Sequence, residues 1–297
     1  MYNVLLNWNL DNPIIEPIGK GISSDACLIT VNDNKYILRM LSSEHQGNLE
    51  FKIADVLSVL EISPRIIPTC SGSTFAEVEG KYYNLQEYIC GKQIDICDES
   101  LIQQIAKTIA DMHKELNLLD IQLNVEDRFS LTYLLDRCKW ENLKNTLIEH
   151  SENIEKFKNL CFSLINLDQD QTQWIHGDLE TWNLLCDDKR IKVIDFGECR
   201  KGSIYFDIAA VITSLLSNME DTESINKYMN IFVQTYSKYN ISLDRNLLAK
   251  YFQLWFVRGI LTNTLEENYQ AGKSEKAINY FWKQLKKFSF TEDLFIK

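Results

Sequence analysis

Between residues 174 and 198 the chain reads WIHGDLETWNLL, then CDDKR, then IKVIDFGE. His176, Asp178, Asn183 and Asp195 stand among apolar residues, where a core should form. Polar and ionised groups are costly to bury unless they are paired. A chain that keeps four of them in this run must therefore build a polar site around them. Leu184-Leu185 and Ile191–Ile194 read as two short strands turning at CDDKR. That hairpin sets Asn183 and Asp195 at neighbouring positions, with the carboxylate of Asp178 a few residues upstream. An oxygen-rich set of this kind suits Mg2+, which takes few protein ligands and completes its shell with water and phosphate oxygens.

The rest of the chain supplies the scaffold. Its 297 residues can bury a sizeable core as one large domain or two lobes. Neither a repeat nor a low-complexity tract occurs, which excludes solenoid and fibrous architectures. The net charge of −11 repels phosphate backbones, so nucleic acid is not an expected partner, whereas a cationic substrate would be favoured. No apolar run is long enough to span a bilayer, and MYNVLLNWNLDNP lacks the basic and apolar regions of a signal peptide. The 8 cysteines form no CxxC pair and mostly sit in apolar company, which points to a reducing compartment, the cytoplasm.

Strand signals dominate the first ninety residues. PIIEPI (13–18), ACLITV (26–31), KYILRML (35–41), TFAEV and YYNLQEYI give five strands, with hairpin turns at Asn32–Asn34 and Glu79-Gly80. One helix runs over 44–60, where Leu49, Ile53, Val56, Leu57 and Leu60 recur at helical spacing. From Gly91 the pattern turns helical, beginning with a helix over 98–116 capped at Asp98 or Ser100. Two amphipathic stretches follow between 130 and 167, and four more helices run from 207 onward. A small β-rich lobe (1–90) followed by a large helical lobe (91–297) is an α+β arrangement, with a ligand cleft between the lobes as the default expectation.

The pattern H-x-D-x-x-x-x-N, followed by D-F-G and then by G-x-x-x-x-D-I-A (202–209), resembles the aminoglycoside phosphotransferase and choline kinase-like group of small-molecule kinases. These share the two-lobed protein-kinase fold. The resemblance is strongest over 174–211 and weaker over 16–113. It implies that Asp178 accepts or orients the proton of an acceptor hydroxyl, and that Asn183 and Asp195 hold Mg2+ on the phosphates of ATP or GTP. His176 becomes a scaffold residue that fixes the catalytic loop by hydrogen bonding. Asp207 steadies the metal loop from the following helix, and its alternative role is an N-cap for the helix starting DIAAVI. The N-terminal lobe then holds the nucleotide. GKGISSDA fits a glycine-rich phosphate loop through Gly19 and Gly21, with Ser24 in place of a third glycine. Arg39 in YILRM stands where protein kinases carry V-A-I-K, with Glu50 as its partner from the helix. The backbone of Glu87 and Ile89, just before Gly91, sits where a hinge would bond an adenine edge.

After Gly197 only residues 198–206 precede Asp207, with no A-P-E motif and no room for an activation loop. The resemblance therefore implies a small hydroxyl acceptor rather than a protein. Acids at 218–223 and 265–268 are candidates for binding an amine, or else solvated helix ends. Trp182, Trp255 and Tyr269 are candidates for an aromatic wall, or else core. Aminoglycosides or similar amines suit the acidic chain; choline, homoserine and thio- or amino-sugars are the alternatives. Arg39 in place of lysine leaves open a non-catalytic nucleotide-binding protein.

Overall fold

The computed structural model describes residues 1–18, 26–94, 98–122, 127–147, 154–187, 190–265, 269–270 and 272–288. The chain parts into two compact units, Met1–Asn124 with Thr181–Cys199, and Val125–Glu180 with Arg200–Lys297. The first unit begins with α1 (Tyr2–Leu5), β1 (Ile14–Ile18), β2 (Ala26–Val31), β3 (Asn34–Leu41) and α2 (Glu44–Val59). It continues through β4 (Ile66–Ile67), β5 (Ala76–Val78), β6 (Lys81–Glu87), β7 (Lys92–Gln93) and α3 (Glu99–Leu118). The second unit starts with α4 (Leu131–Arg137), α5 (Trp140–Thr146), α6 (Ile154–Ser163), α7 (Ile165–Asp168) and β8 (Gln173–Ile175). The chain returns to the first unit for β9 (Leu184–Asp187) and β10 (Arg190–Val193). It ends in the second with β11 (Arg200–Gly202), α8 (Ile204–Leu216), α9 (Thr222–Tyr239), α10 (Arg245–Thr262) and α11 (Lys273–Phe288).

The main sheet is antiparallel, in the order β1-β2-β3-β6-β4, with β5 also paired to β6. It thus holds six strands where the sequence suggests five. The additional strand is Ile66–Ile67, two residues flanked by Pro64 and Pro68. Two residues carry no periodicity, and the strand forms because β6 offers unpaired backbone groups beyond β5. Both expected hairpins are present. Val31 pairs with Asn34 across a turn with Asn32 at φ 53, and Val78 pairs with Lys81 across Glu79 (φ 55) and Gly80 (φ 73). At Glu79-Gly80 the backbone is left-handed at both central positions, as a type I′ turn requires.

Ile29, Leu38 and Leu85 are fully buried in the sheet core, packed with Val4, Leu5 and Trp8 from the first turn of the chain. Trp8 is pinned there by its indole N–H, which donates to the Ile67 carbonyl at 2.8 Å. Leu49, Ile53 and Leu57 are the buried stripe of α2, whose start is capped by the Ser43 hydroxyl accepting the Gln46 amide. Leu60 lies past the helix end and is exposed.

The second unit is organised around α10, which is buried along most of its length and packs on α8 and α11. Asp221 and Asp244 cap α9 and α10 by accepting amide N–H groups at 2.8 and 2.7 Å. Asp221 in the acidic run 218–223 is therefore a helix cap. Among the described residues no helix is long and apolar enough to cross a membrane. The seven described cysteines are free thiols, and Cys97 lies outside the described residues.

Candidate active site

The β9–β10 hairpin delivers the two residues expected to hold a metal, Asn183 and Asp195. Leu184 pairs with Val193, and the Ile194 N–H donates to the Asn183 carbonyl at 3.0 Å, one step beyond the ladder. Asn183 and Asp195 therefore sit together at the open end of the hairpin, as the sequence predicts. Asp195 adopts φ 63 and ψ 68, a left-handed conformation that aspartate tolerates better than most residues. This bend turns its carboxylate back, and Oδ1 accepts the Gly197 N–H at 3.3 Å.

Arg39 meets that carboxylate from β3. One guanidinium nitrogen donates to Asp195 Oδ1 at 2.5 Å, and the other donates to Glu50 Oε2 at 3.2 Å. Glu50 is 2% exposed and its charge is well satisfied. The Gln46 amide donates to Oε1 at 2.7 Å, while Asn84 and Gln86 donate to Oε2 at 2.9 and 3.4 Å. Gln46 is itself fixed, because its Oε1 accepts the Ser42 N–H at 2.6 Å. Burial alone would lower the Arg39 pKa, but the charges of Glu50 and Asp195 outweigh it and hold the guanidinium above its ordinary value. Gly197 is packed into this cluster. A Cβ there would lie 3.0 Å from Gln46 Nε2 and 3.1 Å from Asp195 Oδ1.

The donor set of Asn183 and Asp195 is all oxygen. Among the described residues no three His, Cys, Asp or Glu side chains gather into a cage for a metal. One carboxylate with one amide oxygen fits Mg2+, which keeps most of its shell for water and phosphate.

His176 and Asp178, expected to form a catalytic loop, belong to the second unit. His176 is fully buried at the end of β8, and its Nδ1 accepts the Asp178 N–H at 3.3 Å. Asp207 takes the two preceding amides, His176 N–H on Oδ2 at 2.7 Å and Gly177 N–H on Oδ1 at 2.9 Å. These two bonds tie Asp207 to the loop that carries Asp178. The N-cap position of the following helix is Ser203, which corrects the cap role expected of Asp207. Helix α8 begins at Ile204 after Ser203, so Asp207 lies one turn inside and aims at the loop that follows β8.

Two features of this unit escape sequence reasoning. Glu180 is 8% exposed, and its N–H donates to the Asp178 carbonyl at 3.0 Å. Burial, together with the nearby charge of Asp178, pushes its carboxyl well above the usual range despite a hydrogen bond with Ser214. Among the described residues no Lys, Arg or His forms an ion pair with it. Deeper in the unit, Arg258 donates to both oxygens of Asp127 at 2.8 and 2.9 Å and to Asp168 at 2.9 Å. Arg200 joins Asp127 at 2.9 Å, and the Phe206 ring lies 4.5 Å from the Arg200 guanidinium and 4.7 Å from that of Arg258.

The remaining expectations fare unevenly. Gly19, Gly21 and Ser24 lie outside the described residues. The Glu87 N–H already donates to the Arg65 carbonyl at 2.9 Å, and its carboxylate pairs with the Arg65 guanidinium. That amide is therefore not open to an adenine edge. Trp182 is 51% exposed. Trp255 packs edge-on against Phe206 at 5.2 Å, a core role, and the Tyr269 hydroxyl donates to Glu275 at 3.1 Å. Leu265 is buried, and 266–268 lie outside the described residues.

Comparison with known proteins follows from this geometry. The model of the phosphotransferase enzyme family (APH) matches residues 14–239. Among solved structures, the amicoumacin kinase hAmiN is similar at TM-score 0.76 and 15% identity, over 96% of this chain and 92% of that one. A microcompartment-associated aminopropanol kinase is similar at 0.72 and 15%, over 97% and 98%. The choline kinase LicA from Streptococcus pneumoniae is similar at 0.65 and 15%, over 98% and 97%. At such identities the likeness is one of fold. No curated protein matches the sequence. The chain belongs to the phosphotransferase enzyme family and is a small-molecule kinase.

Proposed function

We propose that the protein transfers the γ-phosphoryl group of ATP or GTP to a hydroxyl of a small, amine-bearing molecule. The observation that carries this reading is the cluster of Arg39, Glu50 and Asp195 beside Asn183. It joins a fixed cation for phosphate oxygens to an oxygen donor set for Mg2+. Residues 1–90 bind the nucleotide, with Gly19, Gly21 and Ser24 over the phosphates. Residues 91–297 carry the catalytic loop, the metal loop and the acceptor site. Mg2+, when held by Asn183 and Asp195, supplies charge that neutralises the phosphate oxygens. Asp178 takes the hydroxyl proton as the acceptor oxygen bonds to the γ-phosphorus and the bond to the nucleoside diphosphate breaks. His176 and Asp207 keep Asp178 in place through the backbone of the loop. The protein contributes chiefly position and charge, as phosphoryl transfer requires.

Three observations support nucleotide use and an amine-bearing acceptor. The relative hAmiN was solved with AMP-PNP, Ca2+ and Ami, and the spectinomycin phosphotransferase APH(9)-Ia with ADP and spectinomycin. Two further relatives are kinases of the amine-bearing alcohols aminopropanol and choline. In this chain Glu180 places a buried carboxyl, with no ion pair to a cation among the described residues, two residues from Asp178. An ammonium group would offer that carboxyl a charge partner.

A coupled assay of ADP or GDP release tests the reading against aminoglycosides, amino alcohols, amino sugars and neutral polyols. At least one amine-bearing hydroxyl compound should stimulate release well above the rate in buffer. If none does with either nucleotide, the acceptor class is wrong. For the acceptor so found, Glu180→Gln should lower kcat/KM by about 30-fold, the lower end of what losing one partner of a buried charge pair costs. A neutral acceptor should lose much less. Equal losses on both would make Glu180 a structural residue.

A further inference from the structure

We propose that Arg39 latches the metal-loop carboxylate, so that Asp195 is released to a cation when a polyphosphate draws one arm of the guanidinium away. This rests on the nucleotide site proposed above and adds an order to it. The fork of Arg39 is shared between two acids, at 3.2 Å to Glu50 and 2.5 Å to Asp195. The two arms are held unequally. Glu50 is buried and accepts three side-chain amides, from Gln46, Asn84 and Gln86. The Asp195 side chain is 37% exposed and receives one further N–H, from Gly197. A phosphate competing for the guanidinium displaces the more exposed arm, because breaking the Glu50 arm would strand a buried charge.

The latch requires arginine. A lysine has a single ammonium group and no fork, so it cannot span both acids. It would stay with Glu50, where three amides already fix the carboxylate, and leave Asp195 open. The packing fits a latch at this point, since a Cβ on Gly197 would come within 3.3 Å of the Arg39 nitrogen that holds Asp195. Arg39 is thus a positioning residue for the metal loop as well as a contact for phosphate. Binding of metal and nucleotide becomes reciprocal, each easing the other.

The test uses the full chain and Mn2+ as a probe, with free Mn2+ counted by electron paramagnetic resonance, alone and then with AMP-PNP. Arg39→Lys keeps the charge, so a simple field effect predicts no change. The latch predicts that Arg39→Lys binds Mn2+ alone about fivefold more tightly than the wild type, the upper end of what a partly exposed ion pair is worth. It also predicts that AMP-PNP then improves Mn2+ binding by correspondingly less. Glu50→Gln should act in the opposite sense, because Arg39 then leans on Asp195, and it serves if the lysine variant does not fold by circular dichroism. A Mn2+ affinity within about twofold of wild type in a folded variant overturns the latch. If acceptor-dependent release of the nucleoside diphosphate persists with that unchanged affinity, only the latch falls. If AMP-PNP binds none of the proteins with or without Mn2+, the nucleotide site falls and the latch with it.

Discussion

Asp178→Asn should lower kcat by about a thousandfold, within the range that general base catalysis contributes. The amide keeps the size and hydrogen-bonding shape of the side chain, so the Asp178 N–H should still donate to His176 and the loop should keep its form. It cannot accept the hydroxyl proton. Affinity for AMP-PNP with Mg2+ should stay within about twofold of wild type, because the nucleotide's charge is met by other groups. Asp195→Ala should do the converse and weaken nucleotide binding when Mg2+ is present, while tightening it slightly when Mg2+ is absent, because the arm of Arg39 that Asp195 holds is then free for phosphate. Titration of AMP-PNP into each variant, alongside steady-state turnover, separates the two. Unchanged turnover in Asp178→Asn would remove it from the chemistry, and unchanged Mg2+-dependent affinity in Asp195→Ala would remove that residue from the metal.

Arg258→Met should lower the melting temperature by about 10 °C or more. Arg258 satisfies Asp127 with two bonds and Asp168 with one, and both Arg258 and Asp168 are almost wholly buried. Methionine fills much of the volume but leaves Asp168 without its guanidinium and Asp127 with Arg200 alone. Breaking a buried ionic group in this way costs about 3–5 kcal/mol, and each kcal/mol moves the melting point by about 2–4 °C in a protein of this size class. The loss should depend on pH. Burial pushes the Asp127 carboxyl up, but Arg200 and Arg258 outweigh it and hold the group below the usual carboxylate range. Its pairing therefore stabilises the fold above the unfolded pKa of about 3.9, and the benefit disappears as pH falls through the lower folded value. The wild type and the variant should differ most at neutral pH and converge under acid. A melting point within about 2 °C of wild type at pH 7 would show that the cluster contributes no net stability.

The two clusters differ in how far the sequence announces them. Asn183 and Asp195 were legible as neighbours because their spacing is local: one hairpin fixes them, and apolar neighbours mark the strands on either side. The pairing of Arg39 with Glu50 was also within reach, since a strand and the helix after it are short-range partners. That Arg39 also holds Asp195 was not, because the contact joins residues 156 apart. The same distance hides the ionic cluster. Asp127, Asp168, Arg200 and Arg258 lie on separate segments, and no periodic pattern says which acid meets which base. Glu180 looks like a surface residue in the string LETW; only the packed structure shows it buried beside Asp178. Trp8 and the strand Ile66–Ile67 were missed for a further reason. Their placement depends on a surface built by β6, and a two-residue strand between prolines has no signal of its own.

The most direct test of phosphoryl transfer through Asp178 is 31P NMR of the full chain with ATP, Mg2+ and an acceptor found by the release assay. The γ-phosphate signal should give way to a phosphomonoester on the acceptor, with ADP in equal amount, and Asp178→Asn should form almost none in the same time. Inorganic phosphate as the sole product, or the same monoester at the same rate from Asp178→Asn, would contradict it.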